Sequence, residues 1–182
     1  MKRLLLFGIT LSFLISCSKD KEEVEIVKPT EKVISSEITN LWTEKLLKFV
    51  RYQPLNSPTY ISRALGYMGL TMYETVVNGS IIYQSVAPEL NGLGELPKPS
   101  GEIDWETALN EGQYYMVFRL WQHSQSNYKL PIDSLYNDIV LQRTTIVKDT
   151  AIINRSKRYG ASVAEKIYNW SKTDGGNLGY LN

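Results

Sequence analysis

Residues 57–79 read SPTYISRALGYMGLTMYETVVNG, and the fold class turns on them. The stretch opens as a helix does, with Ser57 able to cap and Pro58 suited to the first turn. It closes as one, with Asn78-Gly79 just past the last apolar residue. Between them Ile61, Ala64, Leu65, Met68, Leu70, Met72, Tyr73, Val76 and Val77 point in most directions around the axis. That pattern predicts a helix packed on most sides, the central one of an all-α core. Gly66 and Gly69 lack side chains, so a second helix is expected to approach closely there. Each costs roughly 1 kcal/mol relative to Ala in a helix interior.

Two charges, Arg63 and Glu74, share a face of this helix. At 1.5 Å per residue they lie roughly 16 Å apart along the axis, too far to pair with each other. Either they form a polar socket for a second segment, or Arg63 snorkels to water and Glu74 is exposed at the helix end. The reach of long charged side chains favours the second reading.

Working outward, the first helix is expected at about 38–51. Ile38, Leu41, Trp42, Leu46, Phe49 and Val50 fall on one stripe, and Tyr52-Gln53-Pro54 ends it. Residues 79–101 form a long loop broken by Gly79, Gly92, Gly94, Gly101, Pro88, Pro97 and Pro99. Its Ile81, Ile82, Tyr83, Val86, Leu90 and Leu93 predict an ordered cover packed over the helices. A third helix follows at about 104–123, capped by Asp104, with Trp105, Ala108, Leu109, Gly112, Tyr115, Met116, Leu120 and Trp121 buried. A polar turn is expected over 124–128. A fourth helix runs about 132–147 and a fifth about 150–172, the latter with Ile152, Ser156, Tyr159, Gly160, Val163, Ala164, Ile167 and Trp170 on one stripe. No strand alternation and no repeat is present. The chain therefore reads as an all-α bundle of about five helices. The final residues 177–182 read as a loop leading to more protein, so the bundle is expected to be part of a larger helical domain.

Composition narrows the function. The chain has 182 residues and a net charge of +1, which gives nucleic-acid binding no support. One Cys and one His exclude a structural zinc site and a disulfide framework. No phosphate-cradling Gly loop, zinc-protease pair or nucleophile elbow occurs, and no acidic pair is spaced for a metal. His123, at a helix end, reads as a surface or capping residue. Trp42, Trp105, Trp121 and Trp170 could stack sugars, but all sit on or beside apolar stripes, so they read as core.

At the start, Lys2 and Arg3 precede a 12-residue apolar run, Leu4–Ile15, too short for a permanent span of roughly 20 residues. It ends in Leu14-Ile15-Ser16-Cys17, which resembles the lipobox of bacterial lipoproteins. The resemblance implies a signal peptide at 1–16, lipidation of Cys17 and a tether over 17–37. The mature protein, near neutral without Lys2 and Arg3, would be held to the membrane by acyl chains. The run Ser18-Lys19-Asp20-Lys21-Glu22-Glu23 resembles the acidic tract that exports lipoproteins to the outer face of the outer membrane; a spacer facing the periplasm is the other reading.

A further resemblance covers most of residues 40–182. Trp42, Ser57-Pro58, Arg63-Ala64, Gly66-Tyr67, Tyr73-Glu74, Tyr83-Gln84-Ser85, Leu90-Asn91-Gly92-Leu93, Asp104-Trp105, Gly160–Ala164 and Trp170–Gly176 occur in an order similar to the N-terminal half of bacterial vanadium-dependent haloperoxidase-like proteins. These belong to the type 2 phosphatidic acid phosphatase superfamily. The resemblance implies a helical bundle over 38–182 and, in the full-length family, an oxyanion site for vanadate or phosphate. That site is built from Lys-x6-Arg-Pro, Pro-Ser-Gly-His and Ser-Arg-x5-His-x3-Asp. None is met here: there is no Arg-Pro pair, Glu102 follows Pro99-Ser100-Gly101, and Gly69 stands where Ser62-Arg63 would need a His. No catalytic, cofactor or metal residue carries over. The expectation is a non-catalytic N-terminal portion, inactive alone, whose missing partner is the C-terminal catalytic half, with apolar faces left bare at about 58–77 and 150–171. The alternative is a small helical surface lipoprotein that binds a partner or glycan.

Overall fold

The structure, a computed structural model, describes residues 35–54 and 57–181; the signal peptide, Cys17 and most of the tether lie outside the described residues. The fold is an all-α bundle of five helices: α1 (Glu37–Tyr52), α2 (Pro58–Val76), α3 (Trp105–Leu120), α4 (Ser126–Val147) and α5 (Thr150–Ser171). Three short 3-10 turns lie at Val77–Gly79, Ala87–Glu89 and Gly179–Leu181, and no strand occurs among the described residues. No helix among them is long and apolar enough to cross a membrane.

Local chemistry starts α2, α3 and α5 where expected. The Ser57 hydroxyl accepts from the Tyr60 N–H, with Pro58 in the first turn. The Asp104 carboxylate accepts from Thr107, and that of Asp149 from Ala151 and Ile152. In each case a side-chain oxygen satisfies amides that the first turn leaves unpaired. The expected polar turn at 124–128 is shorter than predicted, because α4 already starts at Ser126. Pro131 lies inside its second turn, where the missing N–H gives up one bond without breaking the helix.

The bundle is not centred where residues 57–79 pointed. α3 is the hub, packing on α5 most extensively and then on α2, α4 and α1. It buries Thr107, Ala108, Leu109, Asn110, Gly112, Gln113, Met116, Val117 and Leu120, which surround its axis. A helix enclosed on all sides shows no apolar stripe. Its buried amides are matched instead: Asn110 Oδ1 accepts from Trp42 Nε1 at 2.9 Å, Asn110 Nδ2 donates to the Tyr136 carbonyl, and Gln113 Nε2 donates to the Met68 carbonyl. Trp42 and Trp121 are fully enclosed, and Trp105 and Trp170 pack against the core.

The close glycine contacts fall elsewhere than Gly66 and Gly69, at both of which a Cβ would meet nothing within 4 Å. At Gly160 on α5 a Cβ would sit 2.1 Å from the Ala108 carbonyl oxygen, and at Gly112 it would lie 2.9 Å from Thr75 Cγ2. These two residues let α5 and α2 approach the hub helix. The expected bare faces on α2 and α5 are also absent. Large exposed apolar side chains lie on α1 (Leu41, Leu47, Tyr52), on α4 (Leu130, Leu141, Ile146) and in the loop 80–103. The apolar stripe of α5 is covered by α3, and α2 keeps only half-buried apolar residues on its outer side.

Candidate functional site

Arg63 and Glu74 are both socketed, which overturns the expectation of a snorkelling Arg and an exposed Glu. Glu74 is 1% exposed. Its Oε1 accepts from the backbone N–H of Val86 at 2.9 Å and of Ala87 at 3.1 Å. One carboxylate oxygen thus does for a loop what a capping side chain does for a helix start. A step away, Tyr73 donates to the Gln84 carbonyl at 2.6 Å.

The same loop is tied from the other side. Trp170 Nε1 donates to the Asn91 carbonyl at 3.0 Å, Arg155 Nε to the Glu102 carbonyl at 2.7 Å, and Ser156 Oγ accepts from the Asp104 N–H at 2.9 Å. The order expected of this loop therefore comes chiefly from polar ties to α2 and α5. Of its expected apolar cover, Leu93 is buried, whereas Ile81, Ile82 and Tyr83 are each more than half exposed.

Arg63 binds the turn after α5. Its Nε and Nη2 donate to the two oxygens of Asp174 at 2.7 and 3.0 Å, and Nη2 also reaches the Ser171 carbonyl. Tyr67 donates to Asp174 at 2.6 Å, and its ring meets Trp170 edge-on. A Cβ at Gly176 would sit 2.6 Å from Arg63 Nε, so a side chain there would require the Arg63 side chain to shift. Partial burial raises the Asp174 carboxyl, but the bonds from Arg63, Tyr67 and the Gly176 N–H outweigh it and hold it at about 2. The folded value lies below the unfolded one of about 3.9. Its stabilisation is therefore complete above pH ~4 and is lost as pH falls through ~4 towards ~2. The melting-temperature gap between the native protein and Asp174→Asn should be widest near neutrality and close across that acid window.

A third polar group joins α3 to α4. Arg143 donates to both oxygens of Asp104, at 3.1 and 2.6 Å, and pairs with Glu106. Burial pushes Asp104 up, yet the bonds from Arg143 and Thr107 carry it below its ordinary value; burial leaves Glu106 raised despite Arg143.

His123 is not a surface or capping residue. It stacks on Tyr180 at 3.8 Å and meets Tyr60 edge-on at 5.9 Å. Both ring nitrogens are buried with no hydrogen-bond partner. Burial, assisted by Lys129, holds its pKa below 6.5. The unfolded chain then binds the proton more readily, so stability is full above pH ~6.5 and falls as pH drops below it. Thermal melts from pH 7.5 to 5.5 should show this decline, and His123→Phe should flatten it.

Arg63, Glu74 and Arg143 are each engaged by partners within the fold. Among the described residues no cluster of three or more His, Cys, Asp or Glu side chains is placed to hold a metal ion. No protein-family model, no curated protein and no solved structure matches the chain. Sequence reasoning missed Asp174 and the amides of Val86 and Ala87 as the partners of Arg63 and Glu74. The Asp lies 111 residues away, and backbone amides carry no side-chain signature.

Proposed function

We propose that this chain is the non-catalytic helical portion of a membrane-anchored enzyme of the haloperoxidase-like or phosphatidic-acid-phosphatase-like kind, and that its work is to brace a separate oxyanion-binding half. One observation carries the reading, even though the bare faces it called for on α2 and α5 are covered. The residues on which the resemblance rests act as ties: Arg63 to Asp174, Tyr73 and Glu74 to the loop 80–103, Trp170 to Asn91, and Gly160 against Ala108. Arg63 is the one cation of that set with a guanidinium fork suited to an oxyanion. Here it is taken up by a carboxylate and a carbonyl, which supports a structural role for it. The bound vanadate or phosphate of such an enzyme would be held by residues outside this chain.

The test is the reading frame beyond the codon for Asn182. The proposal expects Lys-x6-Arg-Pro, Pro-Ser-Gly-His and the final Ser-Arg-x5-His to follow, and expects purified protein of this length to show no phosphatase or halide-oxidising turnover with vanadate present. Absence of those motifs from every frame, or turnover by this chain alone, overturns it and leaves the partner-binding lipoprotein as the better reading.

A further inference from the structure

A concave space of about 360 Å³ opens between the end of α1 and the start of α4. That volume lies in the ordinary range for small-molecule sites, roughly 300–1,000 Å³. Phe49, Tyr52, Tyr128 and Pro131 supply flat, largely apolar walls, and Lys45, Lys48, Gln53 and Asn127 complete the lining. The cations are poorly matched within the protein. Lys45 has no ion-pair partner among the described residues, and Lys48 has only Glu44 at 3.9 Å, with both side chains nearly three-quarters exposed. Such an exposed pair is weak and easily exchanged. Gln53 forms the buried end of the lining, 8% exposed, with its Oε1 fixed by the Ser124 hydroxyl at 2.6 Å and its Nε2 left without a partner. Flat aromatic walls with unspent positive charge at the rim match a flat ring that carries a negative charge.

We propose that this cavity binds a small aromatic carboxylate, its ring against Phe49, Tyr52 and Tyr128 and its carboxylate between Lys45 and Lys48. The proposal stands apart from the bracing role, since none of these residues belongs to the ties made by Arg63 or Glu74.

Naphthoate and its neutral counterpart naphthalenemethanol are titrated into the full chain while amide signals are followed by NMR. The expected result is saturable shifts confined to residues 45–53 and 127–131, with the carboxylate bound about tenfold more tightly. Lys45→Met with Lys48→Met should bring the two affinities within about twofold, leaving the neutral compound's own affinity intact. Lys48 is exposed, so Lys48→Met alone still reports, with part of the preference lost, should the double variant fold poorly. Equal binding of the two compounds, no saturable shift with either, or shifts centred on another surface such as residues 65–72 would overturn the proposal.

Discussion

Gly160→Val should cost about 3 kcal/mol or more, because the new side chain has no room beside the backbone of α3. A Cβ at this position would stand 2.1 Å from the Ala108 carbonyl oxygen and 2.8 Å from its carbonyl carbon. Backbone cannot swing aside as a flexible side chain does, so α5 must move off the hub helix along its most extensive contact. Gly160→Ala tests the same point more sharply. Alanine favours a helix by roughly 1 kcal/mol over glycine, yet here the collision outweighs that gain and the variant should still be less stable. Gly66→Ala is the matched control. It adds a Cβ into open space on α2, so the propensity gain survives and the protein should be stabilised by up to about 1 kcal/mol. Denaturant unfolding of the two alanine variants should shift the midpoint in opposite directions.

Glu74→Ala should be nearly as damaging, by a different route. It removes the acceptor shared by two backbone amides, leaving Val86 N–H unpaired and Ala87 N–H with only the Ser85 hydroxyl at 3.2 Å, and leaves a void where an enclosed side chain stood. An unsatisfied buried donor costs about 1–3 kcal/mol, so a total near 3 kcal/mol is expected once the void is included. For a protein of this size that corresponds to a melting temperature about 6–12 °C lower. Glu74→Gln retains an oxygen for the two amides and should recover much of the loss. Limited proteolysis distinguishes the variants, since the loop 80–103 should be cut far sooner in Glu74→Ala.

The fold class was legible because most helices declare themselves locally. α1 and α5 carry clean apolar stripes, and Ser57-Pro58 and Asp104 mark the starts of α2 and α3 by chemistry that acts within one turn. The hub was not legible. The expected buried face of α3 did not include Asn110 and Gln113, and only the tertiary structure shows their amides meeting Trp42, Tyr136 and Met68. The glycines misled for a related reason. Gly66 and Gly69 on an apolar helix look like a helix-crossing site, but the α2 face that meets α3 is the one bearing Ala64, Met68, Thr71 and Thr75, with the crossing glycine, Gly112, on α3. Long charged side chains gave the wrong prior for Arg63 and Glu74, because what satisfies them comes from a turn and a loop far along the chain. His123 was misjudged likewise: its enclosing partners Tyr60 and Tyr180 come from α2 and from the last 3-10 turn.

Among the ties on which the proposed bracing role rests is Glu74 holding the loop at Val86 and Ala87, and native-state hydrogen exchange reads those two amides directly. In the native protein both should exchange far more slowly than an unstructured peptide, approaching the helix amides of α2, and Glu74→Ala should release them while α3 and α5 stay protected. Exchange of Val86 and Ala87 at unprotected rates in the native protein would show that the buried carboxylate does not hold the loop, and the bracing reading would fall with it.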